Sequence, residues 1–374
     1  MKVVRAALLW LSLLSLAAIG VTTFSTVYSK YFAIYEYELP AYKDGSASVE
    51  RDSGFPERKR VRILAIDGGG VWGLAELRVL MSLEKITGKQ VHELFDFVAA
   101  SSTGAIISSL LLMPEAKNMP PISAQAAISK YEQLASTVLD RSLFHTISSL
   151  NGYVAPRYQN GGRIKLARQL YGTVTFGELL LPTLYPGLQN DSESFHLFRN
   201  WKARDKTLLL STLVTAVTSA EAFFPAIALT GYQPKTLVIG DPAPVLNSPT
   251  LVAYLASREL FPQADEFVIV TISTHFKAFI HRDLQVRGGI IDWLEPALGV
   301  ARTSQAIGSQ KALEVMMQQD SSVKIRNYLL SPDVSNTKAF EANEQNIRSI
   351  KHAAQEYVDK HSTLLSDVAS ELQK

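Results

Sequence analysis

The 374-residue chain contains no cysteine and carries almost no net charge. Without cysteine it cannot form a disulfide, a thiolate nucleophile, a lipidated cysteine or a Cys-based zinc or iron–sulfur site. Its 37 Lys+Arg residues nearly balance 35 Asp+Glu residues. Such a chain has no overall field that attracts polyanions, so we expect no nucleic-acid partner and expect any charged ligand to be bound by local groups.

Metal ligands are also scarce. Seven histidines are present, and the nearest pair, His275 and His281, has only Asp283 as a carboxylate neighbour. Zinc and calcium sites need a larger set of ligands at suitable spacing. We therefore expect no metal and no other cofactor.

The first 24 residues have the composition of a targeting segment. Lys2 and Arg5 precede an uncharged, apolar stretch over residues 6–24, which approaches the ~20 residues that span a bilayer. Ala18 and Gly20 are small enough to permit signal-peptide cleavage directly after Gly20. The length of the stretch and the tyrosines after it favour an uncleaved anchor instead. We expect either a membrane-associated protein or, after cleavage, a secreted or periplasmic one, and this choice stays open.

Residues 25–60 are rich in tyrosine, glycine, serine and proline and show no sustained period of 2 or 3.6. This composition predicts an aromatic-rich, membrane-proximal linker. The tyrosines resemble the aromatic belt that proteins place at a membrane interface. We expect the folded domain to occupy residues 61–374.

Apolar runs alternate with helical patterns throughout this domain. Residues 61–66 predict a buried strand, after which come a glycine-rich turn and a helical pattern of leucines that ends at Gly88. The strand 97–100 and the helix 105–113 repeat this order. Further elements are predicted at 237–239 and 267–272 for strands and at 347–357 for a covering helix. The alternation predicts an α/β fold with three layers, in which helices cover both faces of a mostly parallel central sheet.

The first turn, from Asp67 to Gly73, has the sequence DGGGVWG. Its glycines permit positive φ and leave N–H groups exposed at the start of a helix, which suits a bound anion. The anion could be a phosphate, since Gly68, Gly70 and Gly73 have the G-x-G-x-x-G spacing of dinucleotide sites, or the oxyanion of an acyl-transfer intermediate. A dinucleotide site also needs an acidic residue at the end of the next strand, which here ends in serines. Tight packing of helix on sheet is a third explanation for the glycines.

The second turn places Ser102 between an apolar strand and a helix. Ala100-Ser101-Ser102-Thr103-Gly104 has the context of a nucleophile elbow, with Ser102 at the serine of G-x-S-x-G and Ala100 at the first glycine. A plain helix N-cap is the alternative interpretation.

A serine nucleophile needs a base. Asp241 follows the strand 237–239 on a turn, where its alternative role is to start an Asx-turn. His275 follows the strand 267–272 and is a second candidate. A carboxylate has an ordinary pKa of ~4 and becomes an effective base only where burial raises this value.

Taken in order, these segments resemble the patatin-like phospholipases. The similar segments are the glycine loop 67–73, the elbow 95–104, the small-residue segment 215–225, and Asp241 with the Asn-Ser-Pro at 247–249. The resemblance extends from about residue 62 to beyond residue 357.

The resemblance implies a three-layer α/β/α fold and a Ser–Asp dyad that works without histidine, metal or cofactor. In such a site Ser102 attacks a lipid ester, Asp241 is the base, and Gly68, Gly69 and Gly70 form the oxyanion hole. The implied activity is that of a lipid acyl hydrolase of the phospholipase A or lysophospholipase type. Its partner is a membrane phospholipid or another acyl-ester lipid.

Three residues depart from the family pattern. Trp72 stands where the loop usually has a cation, Ala100 where the elbow usually has glycine, and Pro242 where the aspartate turn usually has glycine. Ala100 adds a methyl group at a crowded bend, and Pro242 fixes φ and lacks an N–H. Either change could displace a dyad whose atoms must meet within ~3 Å. A catalytically degenerate lipid-binding protein is therefore the alternative, and a dinucleotide-binding α/β protein has less support.

Overall fold

The computed structural model describes residues 35–39, 55–116, 119–140, 142–153, 155–189, 194–232, 236–274, 296–319 and 322–374, together with residues 12, 14, 15, 17, 18 and 20. The predicted signal peptide or anchor at 1–24 lies mostly outside these described residues. Among the described residues, no helix combines the length and the apolar character needed to cross a membrane. The fate of the N-terminal segment stays a prediction.

One sheet of nine strands runs through the described part of the chain. Its strands are β1 (Tyr35–Glu38), β2 (Arg60–Ile66), β3 (Phe97–Ala100), β4 (Thr183–Gln189), β5 (Ser194–Arg199), β6 (Ile227–Thr230), β7 (Leu237–Gly240), β8 (Glu266–Ile272) and β9 (Lys324–Leu330). The order across the sheet is β1-β6-β7-β4-β3-β2-β8-β9, and β5 pairs with β4. The central strand β2 runs parallel to β3 and to β8. The mostly parallel sheet is confirmed, with antiparallel pairing at β4–β5, β4–β7 and β6–β7.

Helices cover both faces of this sheet. They are α1 (Gly73–Thr87), α2 (Val91–Leu94), α3 (Thr103–Leu112), α4 (Ala124–Val138), α5 (Leu143–Ser148), α6 (Asn160–Tyr171), α7 (Leu210–Val217), α8 (Ala243–Leu246), α9 (Thr250–Leu260), α10 (Pro296–Gln319), α11 (Glu344–Lys360) and α12 (Ser362–Gln373). Successive strand residues point to opposite faces. Leu64 and Val98 therefore pack in the core that includes α1 and α3, whereas Ile63 and Phe97 pack in the core that includes α9. The three-layer α/β/α prediction is confirmed.

Helix α1 ends where the sequence predicts. Gly88 adopts φ +70° directly after the last helical residue, and its N–H donates to the Glu84 carbonyl at 2.8 Å. This left-handed conformation favours glycine, because a Cβ at positive φ comes too close to the residue's own carbonyl oxygen. A local signal therefore suffices to stop the helix.

The expectation that residues 25–60 form only a linker is wrong at one place. Tyr35–Glu38 forms β1, which pairs parallel with β6 at the edge of the sheet. The Leu39 N–H extends the pairing by donating to the Thr230 carbonyl at 2.9 Å. Its four residues alternate tyrosine with glutamate, but so short a run does not count as a sustained period, and a strand far along the chain supplies its hydrogen bonds. Strand β2 begins at Arg60, one residue before the predicted start of the domain at residue 61.

Candidate active site

The glycine loop connects β2 to α1 and lies against the elbow. A Cβ built on Gly68 would lie 2.9 Å from the Ser102 Cβ and 2.7 Å from Asn247 Oδ1. Gly70 has φ +56°, and a Cβ there would lie 2.2 Å from the Ala339 carbonyl oxygen. Glycine is required at both positions, because no side chain fits between the loop and its neighbours.

Ser102 occupies a strained bend between β3 and α3. Its backbone adopts φ 49° and ψ −120°, a region that L-residues rarely enter and that costs on the order of 1–3 kcal/mol. The bend is possible because Gly104 has no side chain: a Cβ on Gly104 would lie 2.7 Å from the Ile66 carbonyl oxygen. The structure thus gives Ser102 the backbone geometry of a nucleophile elbow rather than that of an ordinary N-cap.

A buried tyrosine ties the elbow to the glycine loop. The Tyr131 hydroxyl donates to the Gly70 carbonyl at 2.7 Å, and Thr103 Oγ1 donates to the same carbonyl at 2.9 Å. The two hydroxyls also contact each other. Burial raises the pKa of Tyr131 above its ordinary value, so the ring stays neutral and able to donate. These bonds hold the loop at a constant distance from Ser102.

Ser102 and Asp241 meet in the structure. Ser102 Oγ donates to Asp241 Oδ2 at 2.5 Å, a short charge-assisted hydrogen bond. The other carboxylate oxygen, Oδ1, accepts the Ala243 N–H at 2.9 Å, and the Asp241 N–H donates to the Ser219 carbonyl at 3.0 Å. The missing N–H of Pro242 therefore does not leave the carboxylate unsupported.

The environment of Asp241 suits a base. The side chain is fully buried, and this burial raises the pKa of Asp241, although the charges of Arg302 and Arg163 and the bonds from Ser102 and Ala243 oppose the rise. A raised pKa strengthens the carboxylate as a proton acceptor. Asp241 therefore has the burial that a carboxylate needs to act as an effective base.

The other two departures are also accommodated. Trp72 is buried, and its Nε1–H donates to Thr337 Oγ1 at 2.8 Å, so the indole takes part in packing where a cation is usual. Ala100 is fully buried at the end of β3, beside Ile66 of β2. Its methyl group is compatible with the Ser102–Asp241 contact.

The oxyanion-hole prediction needs one correction. The Gly68 N–H donates to the Asn247 carbonyl at 3.1 Å, so it is not available to a developing oxyanion. Gly68 instead provides space beside Ser102. Within the described ranges the N–H groups of Gly69 and Gly70 have no acceptor, and these two remain the candidate donors of the loop.

An apolar cavity of about 110 Å³ opens beside the dyad. Ser102, Asp241 and Gly70 line one part of it. The remaining wall comes mainly from α3, α4, α6 and α7, with Ile106, Leu134, Leu166, Leu170, Val214 and Phe224 among the lining side chains. Such a cavity can take a hydrocarbon chain next to the serine hydroxyl.

A buried arginine is the main charged group of the cavity wall. The Arg163 guanidinium donates to the Thr218 carbonyl at 2.8 Å, to Asn160 Oδ1 at 2.7 Å and to Ser219 Oγ at 2.8 Å. Burial lowers the pKa of Arg163 to about 9, and the Asp241 charge opposes this fall. Arg163 therefore places a held positive charge near the carboxylate of Asp241.

Two further carboxyl groups lie close to the glycine loop. Asp67 and Glu76 are both fully buried. Burial raises the pKa of Asp67 to about 7, partly offset by the hydroxyls of Ser273 and Ser248. Burial and the Asp67 charge raise the pKa of Glu76 well above its usual range. The base of the loop therefore carries two titratable groups to which the sequence motifs gave no role.

Sequence reasoning missed four residues that surround the dyad. They are Tyr131, Arg163, Glu221 and Arg302. Burial and, to a smaller extent, the Asp241 charge raise the pKa of Glu221 to about 8, while the Arg302 charge opposes the rise. These residues come from separate helices and loops, and only Glu221 lies in a segment that the sequence resemblance indicated, where it was given no role. The alternative base, His275, lies outside the described residues.

The fold and the strained serine place this chain among α/β proteins with a nucleophile-elbow turn. The family model of the patatin-like phospholipases matches residues 64–233, a range that includes the glycine loop, the elbow and the small-residue segment. The resemblance to the patatin-like phospholipases that the sequence indicates is thereby confirmed over these residues, and it supports a lipid ester hydrolase as the class of enzyme.

Individual proteins show the same similarity. Patatin-like protein 2 of Oryza sativa subsp. indica is 26% identical over 277 residues, which cover 65% of this chain and 68% of that protein. Calcium-independent phospholipase A2-gamma of Rattus norvegicus is 49% identical over 51 residues, 14% of this chain and 7% of that protein. The crystal structure of VipD from Legionella pneumophila aligns with 82% of this chain and 67% of that chain, at a TM-score of 0.35 and 13% identity.

The dinucleotide alternative loses support from the loop itself. The Val71 N–H donates to the Ala339 carbonyl at 2.8 Å, and the same carbonyl covers Gly70. A pyrophosphate group needs the N–H groups of such a loop to be open. Here the Ala339 carbonyl accepts the Val71 N–H, which leaves fewer open donors for a pyrophosphate.

Proposed function

We propose that this protein hydrolyses acyl esters of membrane lipids, as a phospholipase A or lysophospholipase, with Ser102 as nucleophile and Asp241 as base. The observation that carries the proposal is the 2.5 Å contact between Ser102 Oγ and Asp241 Oδ2. The contact lies at the wall of an apolar cavity and beside a glycine loop. A nucleophile, a base, an acyl-sized space and candidate oxyanion donors are the parts that acyl transfer needs.

In the first half of the reaction the Ser102 oxygen attacks the ester carbonyl carbon while its proton passes to Asp241. The carbonyl oxygen becomes an oxyanion, and the N–H groups of Gly69 and Gly70 are the donors proposed to stabilise it. Collapse of this intermediate breaks the bond to the alcohol oxygen. The leaving alcohol takes the proton from Asp241, and the acyl chain remains as an ester of Ser102.

In the second half water takes the place of the alcohol. Its proton passes to Asp241 as its oxygen attacks the acyl–Ser102 ester, and a second oxyanion forms at the same donors. Collapse releases the fatty acid and returns the proton to the Ser102 oxygen. The site ends in its starting state, so the residues of this chain account for every proton without a metal ligand.

Action at a membrane belongs to the same proposal. The acyl chains of phospholipids are concentrated in the bilayer, and the apolar segment at residues 6–24 would keep the enzyme there as an anchor. Cleavage after Gly20 would instead release it into a secreted or periplasmic form. Association through this segment and the phospholipid substrate remain proposals.

The test compares two adjacent serines. Purified protein should release fatty acid from phospholipid vesicles, and Ser102→Ala should abolish this release. Ser101 is the matched control, because it is the adjacent serine and its Oγ donates to the Leu246 carbonyl at 3.0 Å. A fluorophosphonate probe should label the wild type and Ser101→Ala at Ser102.

Labelling that persists in Ser102→Ala, or a label that maps to Ser101, would refute the assignment. A wild-type protein that binds vesicles, resists the probe and releases no fatty acid would support the lipid-binding alternative. Binding of NAD without labelling would support the dinucleotide alternative.

A further inference from the structure

We propose that the segment after α4 is a docking surface for a bilayer that contains anionic phospholipids. This docking surface consists of Leu143, Phe144, Ile147, Leu150 and Tyr153, five large apolar side chains that are between 46% and 89% exposed. Exposed apolar side chains that occur singly are normal on a soluble protein. Five within one short segment form a patch that needs an explanation.

The local structure holds these side chains outward. Ser142 Oγ accepts the His145 N–H at 3.1 Å and so begins α5. The polar residues occupy the inner face: His145 is buried with Nε2 3.0 Å from the Pro156 carbonyl oxygen, and Ser149 Oγ donates to the His145 carbonyl at 2.7 Å. The usual amphipathic arrangement is thus reversed, with polar groups inside and apolar groups outside. A reversal that is fixed by hydrogen bonds indicates a surface that meets an apolar medium.

Both ends of the segment are joined to the cavity beside Ser102. At one end Val138 and Leu139, which precede the docking surface, line the cavity. At the other end Tyr158 stacks on Phe224 at 5.3 Å, and its hydroxyl donates to the Phe340 carbonyl at 2.9 Å. Phe224 and Phe340 also line the cavity. A bilayer at the docking surface would therefore lie next to the space proposed for an acyl chain.

The charge of this region selects the kind of bilayer. Residues 141–177 contain five basic residues, Arg141, Arg157, Arg163, Lys165 and Arg168, and no Asp or Glu. Arg163 is buried in the cavity wall, whereas Lys165 and Arg168 are exposed on α6. The chain as a whole has a net charge of only +2, so this local excess is distinctive. An excess of basic residues in the same stretch of sequence as an apolar patch favours membranes with anionic head groups.

The proposal rests on the proposed function in that a lipid substrate gives the surface its use, but its test does not depend on turnover. Because the chain has no cysteine, Phe144→Cys and Ile147→Cys each provide one site for an environment-sensitive fluorophore such as NBD. Leu255→Cys is the matched control, since Leu255 is 50% exposed on α9, the helix on the other face of the sheet. Each labelled full-length protein is mixed with vesicles of phosphatidylcholine, with and without phosphatidylglycerol.

With phosphatidylglycerol present, the emission at positions 144 and 147 should rise about threefold or more and shift to shorter wavelength, as expected for a probe that enters the interface. Phosphatidylcholine alone should give a smaller rise, and the Leu255→Cys probe should not respond. Unchanged emission from the probes at positions 144 and 147, or an equal change in emission at position 255, would overturn the proposal.

A double substitution tests whether the docking surface contributes to activity on membranes. Phe144→Ser with Ile147→Ser should lower fatty-acid release from anionic vesicles by about tenfold, because the bilayer is no longer held at the cavity. Hydrolysis of a short, soluble ester should stay unchanged, and so should both activities in Leu255→Ser. Equal loss on both substrates, or loss on neither, would count against the docking surface. A wild type that hydrolyses neither substrate would refute the proposed function, while the fluorescence would still decide whether the surface binds lipid.

Discussion

Replacing Asp67 with asparagine should change how the stability of this protein depends on pH. Asp67 is fully buried at the base of the glycine loop, and burial raises its pKa from the ordinary 3.8 to about 7. Below pH 3.8 the carboxyl is protonated in both the folded and the unfolded chain, so the folded state carries no ionisation cost. Between the two pKa values the unfolded chain releases the proton while the folded chain keeps it. Stability is therefore lost as the pH rises toward about 7 and is not regained above it.

The size of this loss follows from the two pKa values. At 1.36 kcal/mol per pKa unit, the interval corresponds to about 4 kcal/mol of unfolding free energy. This is a large share of the roughly 5–15 kcal/mol that usually separates folded from unfolded chains. Asparagine has almost the same shape and no charge, so the variant should not show the loss.

Urea unfolding followed by tryptophan fluorescence can measure the effect. Between pH of about 4 and pH of about 9 the stability of Asp67→Asn relative to wild type should rise by about 4 kcal/mol. Two controls separate this group from other carboxylates. Asp265→Asn removes an exposed carboxylate and should leave the pH profile of the wild type unchanged. Glu76→Gln removes the neighbouring buried carboxyl and should keep the loss of stability that ends near pH 7. Parallel profiles for wild type and Asp67→Asn would show that the buried carboxyl does not carry this cost.

Four further predictions concern the active site. Asp241→Asn should lower turnover by ~10² or more while the melting temperature stays near that of the wild type, because its amide oxygen can still accept the Ala243 N–H; the reverse result would make Asp241 structural. In the wild type, turnover should rise with pH through the raised pKa of Asp241, since only the ionised carboxylate accepts the Ser102 proton; a flat pH profile would contradict its role as base. Gly70→Ala should lower both the melting temperature and turnover, because Gly70 adopts φ +56° and a Cβ there would lie 2.2 Å from the Ala339 carbonyl oxygen. Gly161→Ala is the control and should be neutral, because a Cβ at Gly161 would meet open space. Activity should survive EDTA, and a loss that calcium or zinc restores would replace the dyad with a metal-activated water.

Much of the fold was predictable because its signals are local. A glycine stops α1 at Gly88, and short apolar runs give β2, β3 and β8 within a residue or so of the predicted ends. The parallel sheet followed from the alternation of strands and helices. The antiparallel pairs around β4 and β7 could not be predicted in this way, since the direction of pairing there depends on the loops between strands rather than on strand composition.

The candidate site divides in the same way. The positions of Ser102 and Asp241 could be inferred, because each sits on a turn whose residue types carry a physical requirement: a small residue at a tight bend, or a carboxylate after a strand. The distance of 2.5 Å between Ser102 Oγ and Asp241 Oδ2 could not be inferred from the sequence, since it depends on how β3 and β7 are placed in the sheet. The expectation for Gly68 failed for a related reason. Its N–H is taken by Asn247, a residue that only the folded chain brings to the loop.

The amino-acid sequence by itself determined the backbone chemistry at the turns: which residues can adopt positive φ, which can serve as nucleophile or base, and which runs must be buried. Only the tertiary structure decided which distant groups surround them. The packing of separate helices and loops brings Arg163, Glu221 and Tyr131 close to the dyad. Helix α5 presents its apolar side outward, while His145 on its inner side contacts the Pro156 carbonyl oxygen. A sequence pattern describes contacts within a few residues, whereas burial and electrostatic surroundings are set by contacts between segments that only folding brings together.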